Sequence, residues 1–538
     1  MKLASFILFT LNTQAVTMRW PARKAHRSCP YFMTAKHTPL KIFFVAAEVA
    51  PFATVGGLSQ VMYFLPRALA KLGHEVIMFM PKYGTIDEKK YGIKPFLSEL
   101  KVSTGETSGV TELICNVKVW SRRYAPTVYF LENMEYYEKR ANVYGYTDDP
   151  TRFALLSRGA LEFLDQISLK PDLIHANDWH TGYLVNYSRN ILQTRQSLRN
   201  SAAIFTIHNL QHQGLTDFRY ASPLDFDDGQ GPLASFFSPR LKRQNALKRG
   251  IIYADLVNAV SERYSREIMT TQYGEGLDQL LKEVRGKVYG VLNGLDYDDF
   301  NPNTDKLIKK NFSLKTVADR KENKTELQKE FNLPVDPDIP ILAMSGRLDE
   351  QKGLDLVMKV LPYLLEEYDM QFIILGSGDN RYREFFTKLE TEYPKQVGTH
   401  LMSNWQLPRK IYAGTDFFLL PSKFEPGGIV IVEAMRYGAV PIVRQVGGLA
   451  DTVLDFDIEK NTGNGFVFRD FSEMAFFGAI ARAFQIYRSK KLWNGIVRRG
   501  MQADFSWETA AKNYEDLYNR AIEYRKEANR DNPAPAFR

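Results

Sequence analysis

KIFFVAAEVAPFATVGGLSQVMYFLPRALAKLGHEVIMFMP, residues 41–81, decides the fold class. Its first ten residues are almost wholly apolar, as a strand buried in a sheet requires. The pair Gly56–Gly57 follows, and then Leu58, Val61, Met62, Leu65, Leu69 and Leu72 recur at helical spacing. HEVIMFMP (74–81) returns to a strand pattern. A strand, a helix and a second strand joined in this way make a parallel β-α-β unit.

The same alternation runs outward from this unit. PTVYFLEN (126–133), DLIHAND (172–178), AAIFTIHN (202–209), ADLVNAVS (254–261) and KVYGVLN (287–293) read as further strands. A polar, Lys- and Asp-rich stretch follows at about 303–338, and the pattern then restarts. IPILAMSG (339–346), MQFIILGSG (370–378), DFFLLPS (416–422), AVPIVRQ (439–445) and GFVF (465–468) are the strands of this second half. The expectation is an α/β protein of two Rossmann-like, doubly wound parallel-sheet domains facing each other across a cleft. The domains span 39–293 and 294–507. The terminal segment 508–538 begins with a Tyr- and Ala-rich helix that packs back on the first domain. Open parallel sheets bind ligands outside the carboxyl ends of their strands, so the loops after strands are where chemistry is sought.

Length and composition agree with a chain of two large domains. It has 538 residues, 44% hydrophobic and 25% charged. The formal net charge of +8 is concentrated in one place: Lys2, Arg19, Arg23, Lys24, Arg27 and Lys36 lie within residues 1–38, which contain no acidic side chain. The remainder is near balance, which argues against a nucleic-acid footprint. No apolar run reaches the ~20 residues of a membrane span. Of the two cysteines, Cys29 lies in the tail and Cys115 in the body, so the body has no internal disulfide, which suits a reducing, cytoplasmic setting. Residues 1–38 read as an unstructured extension, a misplaced start, or a targeting segment such as a plastid transit peptide.

Two segments carry chemistry at that spacing. PSKFEPGGIVIVEAMRYGAVPIVRQVGGLADTV (421–453) sets seven residues between Glu425 and Glu433, Gly427 and Gly428 among them. A glycine turn opening a helix presents backbone N–H groups and a positive dipole end to an anion. A carboxylate before that turn can take sugar hydroxyls, and one further along the helix can take a ribose. The alternative is a capped helix with two solvated glutamates, which the flanking residues and the second glycine pair, Gly447–Gly448, disfavour. In SGRLDEQKG (345–353), Arg347 and Lys352 stand at a strand-to-helix junction where two cations can converge on one diphosphate. The alternative is a pair of surface charges.

With TVGGLSQV (54–61), HANDWHTGY (175–183), TIHNLQHQG (206–214) and NGLDYDDFNP (293–302), these segments resemble the bacterial glycogen synthase and plant starch synthase family. The match is collinear from about Lys41 to Tyr518. The resemblance implies the GT-B glycosyltransferase fold and a retaining transfer of glucose from ADP-glucose or UDP-glucose to an α-glucan acceptor, with no metal and no cofactor. It implies an acceptor side on the first domain and nucleotide-sugar binding on the second. Carried over by position, Arg347 and Lys352 hold the diphosphate, with backbone N–H groups of Gly56, Gly57, Gly427 and Gly428 assisting. His208 lies beneath the transferred sugar and Glu425 holds its 3- and 4-hydroxyls. Asn209 and Asn293 line the same cleft, and Asp178 and His180 shape the acceptor side.

Departures from the family pattern are local. Its first motif usually reads Lys-x-Gly-Gly-Leu with Asp two residues after Leu, where this chain has Thr54 and Gln60. Gly427 and Glu433 replace a usual Cys and Tyr, and Glu433 restores the Glu pair of the broader sucrose-synthase-like retaining glycosyltransferases. Three other readings stand beside the first. They are the same fold acting on a capsule, lipid or small-molecule glycoside, an inactive glucan-binding relative, and a nicotinamide dehydrogenase. The last is disfavoured because Gly376-Ser-Gly378 lacks a third glycine and a downstream ribose acid.

Overall fold

The computed structural model describes residues 38–190, 195–217 and 227–531. The charged tail and its targeting or extension readings lie outside the described residues, apart from Thr38. Nine strands form the first sheet: β1 (Lys41–Val45), β2 (Glu75–Pro81), β3 (Lys94–Ser103), β4 (Glu112–Trp120), β5 (Thr127–Glu132), β6 (Leu173–Asn177), β7 (Ala202–Ile207), β8 (Leu256–Ala259) and β9 (Val288–Gly290). Their order is β3-β4-β5-β2-β1-β6-β7-β8-β9. Only the pairings β3–β4 and β4–β5 are antiparallel.

Six strands form the second sheet: β10 (Ile341–Ser345), β11 (Gln371–Leu375), β12 (Val397–His400), β13 (Phe417–Leu420), β14 (Val440–Arg444) and β15 (Phe466–Phe468). The order β12-β11-β10-β13-β14-β15 is all parallel and reverses between β10 and β13. Strand order in the first sheet reverses likewise between β1 and β6. Such reversals open crevices at the carboxyl ends of the neighbouring strands. The two-sheet GT-B architecture is therefore present.

The β3–β4 hairpin is an element that the parallel alternation did not reveal. β3 exposes most of its residues and its pairing with β4 shifts register between Pro95 and Leu100. A half-buried, bulged strand lacks the continuous apolar run that marked the others.

Each sheet has its own core. One apolar cluster runs from Leu40 to Val291 and takes in Trp507, Tyr514, Leu517 and Tyr518, while the other runs from Leu295 to Met501. The first therefore contains residues from the far end of the chain. The helix Trp507–Asp531 lies against the first sheet, where buried Tyr518 Oη is 2.9 Å from His175 Nδ1 and Asn258 Nδ2 donates to Tyr514 Oη at 3.1 Å. Burial holds His175 down to about 3, so it stays neutral under that helix. The outgoing and returning chains meet where Phe505 O accepts Leu295 N–H at 2.7 Å. A Cβ on Gly294 would stand 2.6 Å from Trp507 N, so only glycine permits this crossing.

Replacing Tyr518 should therefore loosen the first lobe. Tyr518→Ala is expected to cost about 3–5 kcal/mol, and Tyr518→Phe about 1–3 kcal/mol, the cost of leaving the buried His175 group unpaired. Urea unfolding of the two variants beside the parent checks this.

Candidate active site

The first lobe builds its side of the cleft from the ends of β6 and β7. Asn177 Nδ2 donates to Val45 O and His175 O at 3.2 and 3.3 Å, which turns its amide oxygen toward His208. His208 Nε2 lies 3.0 Å from that oxygen. The network thus assigns the ring proton to Nε2 and leaves Nδ1 as an acceptor. Burial pushes His208 down to about 3, so the ring is neutral near pH 7.

Asp178 sits just beyond β6 at φ 55°, a conformation rare outside glycine. Its buried Oδ1 accepts the N–H groups of His208 at 2.7 Å and Asn209 at 3.4 Å. That carboxylate ties the β6 and β7 loops together. Burial raises Asp178 to about 7, against the opposing pull of those two N–H groups. His180 follows in an aromatic box: Tyr144 stacks on it at 4.7 Å, and Trp179 and Phe153 lie 4.2 and 4.8 Å away. Its Nδ1 is buried without a hydrogen-bond partner among the described residues, and burial keeps the ring well below the usual imidazole range. Asn209 uses its own side-chain oxygen to accept Gln211 N–H at 3.0 Å.

Glu48 went unnoticed in the sequence, although a lone acid at the end of a buried strand was a signal. Its buried carboxylate accepts Val55 N–H at 2.8 Å and Gly56 N–H at 2.9 Å through Oε2, and Tyr144 Oη–H at 2.8 Å through Oε1. The Gly56 N–H expected for a phosphate is thus directed at Glu48. Gly57 faces open space, since a Cβ there would meet nothing within 4 Å.

The second lobe contributes the loops after β10 and β13. Lys352 Nζ lies 2.7 Å from Glu425 Oε2, with both side chains largely buried at 16% and 10% exposure. Ser422 Oγ donates to the same oxygen at 3.2 Å, while Oε1 carries no hydrogen bond from the described protein. Arg347 is 65% exposed, 3.2 Å from Asp349 Oδ2 and donating to Gln351 Oε1 at 3.0 Å. It also faces the first lobe: after burial, the Arg347 guanidinium is what holds His212 below its ordinary range. Gly428 caps the helix Ile429–Arg436, on which Glu433 accepts Tyr412 Oη–H at 3.0 Å. Burial raises Glu433 to about 7.

The two lobes share one crevice. A Cβ on Gly427 would stand 3.7 Å from Asn293 Nδ2, and Asn293 Oδ1 is buried with no hydrogen-bond partner among the described residues. A cavity of about 270 Å³ lies between the lobes, lined by Asn209, Gln211 and Tyr273 on one side and Phe424, Arg444 and Phe471 on the other. The second lobe sets a cation beside a carboxylate with a free oxygen, and the first lobe carries a neutral imidazole. These groups suit an anionic leaving group attached to a polyol.

The chain is similar to known proteins over most of its length. A family model described as the starch synthase catalytic domain matches residues 41–283, and one for glycosyl transferases group 1 matches 324–494. The glycogen synthase of Thermosipho melanesiensis is 39% identical over 90% of this chain and 100% of its own length. That of Moorella thermoacetica is 40% identical over 91% and 98%. The catalytic domain of starch synthase IV from Arabidopsis thaliana, solved bound to ADP and acarbose, is 31% identical with a TM-score of 0.78, covering 90% of this chain and 100% of that one. Sucrose-phosphate synthase from Thermosynechococcus elongatus, 20% identical with a TM-score of 0.56, shares the fold. Among the described residues no helix is long and apolar enough to cross a membrane. With relatives aligned over nine-tenths of its length and both lobes matched, the chain belongs to the glycogen and starch synthase family, glycosyltransferases that build glucans from nucleotide sugars.

Proposed function

We propose that the chain extends an α-1,4-glucan with glucosyl units from ADP-glucose, retaining the anomeric configuration. The observation that carries this reading is the buried Lys352–Glu425 pair of the second lobe, with neutral His208 held at the end of β7 on the first. Lys352 and Arg347 neutralise the departing diphosphate. Glu425 Oε1 accepts the 3- and 4-hydroxyl protons of the sugar, and His208 Nδ1 accepts from the 6-hydroxyl. The orphaned Asn293 Oδ1 offers a further acceptor to the same sugar. Glu433 takes the ribose diol, and Asp178 and His180 form the acceptor side with the aromatic wall of Tyr144.

A neutral imidazole matters here. Bond breaking leaves positive charge on the sugar ring, and an imidazolium beneath it would repel that charge. Burial, which holds His208 near 3, removes the repulsion across the working pH range. On the other face of the reaction, the leaving phosphate oxygen accepts the proton of the attacking glucan hydroxyl. A second catalytic carboxylate of the glycosidase kind is then unnecessary. With Thr54 at the usual lysine position, Arg347 and Lys352 are the cations on which the diphosphate depends.

Incubation with labelled ADP-glucose, UDP-glucose or GDP-mannose and glycogen tests the assignment. ADP-glucose should give the greatest incorporation, and a lack of glucan elongation from either glucose donor would refute it. Lys352→Ala should lower kcat/KM by about 100-fold or more, since it removes a charge-assisted bond worth roughly 1.5–3 kcal/mol and strands Glu425. It should also abolish stabilisation by ADP in a thermal shift assay. Glu433 loses its charge as pH falls through about 7. The KM for the donor should therefore rise below pH 7 in the parent, and Glu433→Gln should flatten that dependence.

A further inference from the structure

The loop that carries Glu425 is not held by the second lobe alone. Its backbone is wedged against the turn that opens the short helix Gly447–Thr452: Gly448 N–H donates to Glu425 O at 3.0 Å. Gly447 has φ +43°, and a Cβ there would stand 1.9 Å from Glu425 O. Any displacement of this turn is thus transmitted to the backbone of Glu425, because no side-chain play separates them.

The turn is gripped from the opposite lobe. Gly447 N–H donates at 2.9 Å to Glu267 Oε2, on the helix Glu262–Glu267 that follows β8. Glu267 is itself buried, and Arg263 Nε donates to its other oxygen at 2.8 Å. Beside it, Arg263 N–H donates to Asp451 Oδ2 at 2.9 Å, again from lobe to lobe. Arg444 adds a third tie: it donates to Tyr273 Oη at 3.2 Å while also donating to Lys423 O at 2.7 Å within the Glu425 loop. A carboxylate buried against backbone N–H groups makes a directional, charge-assisted bond. It can exist only while the lobes are together.

We propose that Glu267 is a positioning residue for the transfer reaction: from the first lobe it fixes the Gly447–Gly448 turn, and through that turn it sets the Glu425 carboxylate against the sugar when the cleft closes. The inference rests on the proposed function of the same site. It assigns to Glu267 no contact with substrate.

Steady-state kinetics with ADP-glucose and glycogen, beside calorimetric ADP affinity, distinguish positioning from mere folding support. Glu267→Ala should lower kcat by about 10- to 100-fold, the population shift expected from one lost charge-assisted bond between open and closed states. Its ADP affinity should fall less than kcat, because the cations assigned to the diphosphate belong to the second lobe and only the share of binding that drives closure is lost. Glu267→Gln keeps an oxygen for Gly447 N–H and should recover kcat to within about fivefold of the parent. Compaction of the protein on adding ADP, read by small-angle scattering, should be lost in Glu267→Ala and kept in Glu267→Gln. If Glu267→Ala does not fold, Asp451→Ala removes the adjoining tie from the other lobe and should show the same pattern. A kcat within twofold of the parent, or an ADP affinity that falls in step with kcat, would overturn the proposal. An inactive parent would instead count against the proposed function, and the scattering measurement would still decide the role of Glu267.

Discussion

A lysine and a glutamate held 2.7 Å apart, mostly out of water, are the constraint around which the second lobe is arranged. Withdrawing two charges from solvent costs several kcal/mol each, and their mutual attraction alone offsets this only with good geometry and added hydrogen bonds. Ser422 Oγ supplies one such bond to Glu425. The free Glu425 Oε1 leaves the pair incompletely satisfied. That incompleteness suits a site that must receive a polyol and a diphosphate together: Lys352 has a second anion to serve, and Glu425 has an oxygen to spare.

The rest of the fold keeps this pair across from the first lobe. Two sheets, one mixed and one all parallel, present the carboxyl ends of their parallel strands toward a shared crevice. The chain passes between them at Gly294 and returns at Phe505, and the terminal helix is anchored on the first sheet by Tyr514 and Tyr518. Near this double crossing the two passages of the chain are joined backbone to backbone at Leu295 and Phe505. Farther out, Glu267, Arg263 and Tyr273 tie the first lobe to the second through directional hydrogen bonds.

Much of this was legible in the sequence for a physical reason. Parallel strands buried on both faces read as near-continuous apolar runs, and glycine pairs mark the turns where backbone meets backbone or anion. The segments holding Arg347, Lys352, Glu425 and His208 could be found because they follow such strands. What stayed hidden depended on partners distant in the chain. Glu48 gives no sign that it will accept Val55 and Gly56 N–H groups, and Glu267 reads as one charge on a short amphipathic helix. Asn177 gains meaning only when its amide turns toward His208. The β3–β4 hairpin was missed because its residues are mostly exposed and its register breaks.

A crystal structure of the protein with ADP-glucose bound tests the central claim most directly. The account requires the diphosphate within hydrogen-bonding reach of Arg347 and Lys352, the 3- and 4-hydroxyls on Glu425 and the 6-hydroxyl at His208 Nδ1, with one donor molecule spanning both lobes. A donor seated on one lobe alone, its phosphates away from Lys352 and its sugar out of reach of His208, would contradict it.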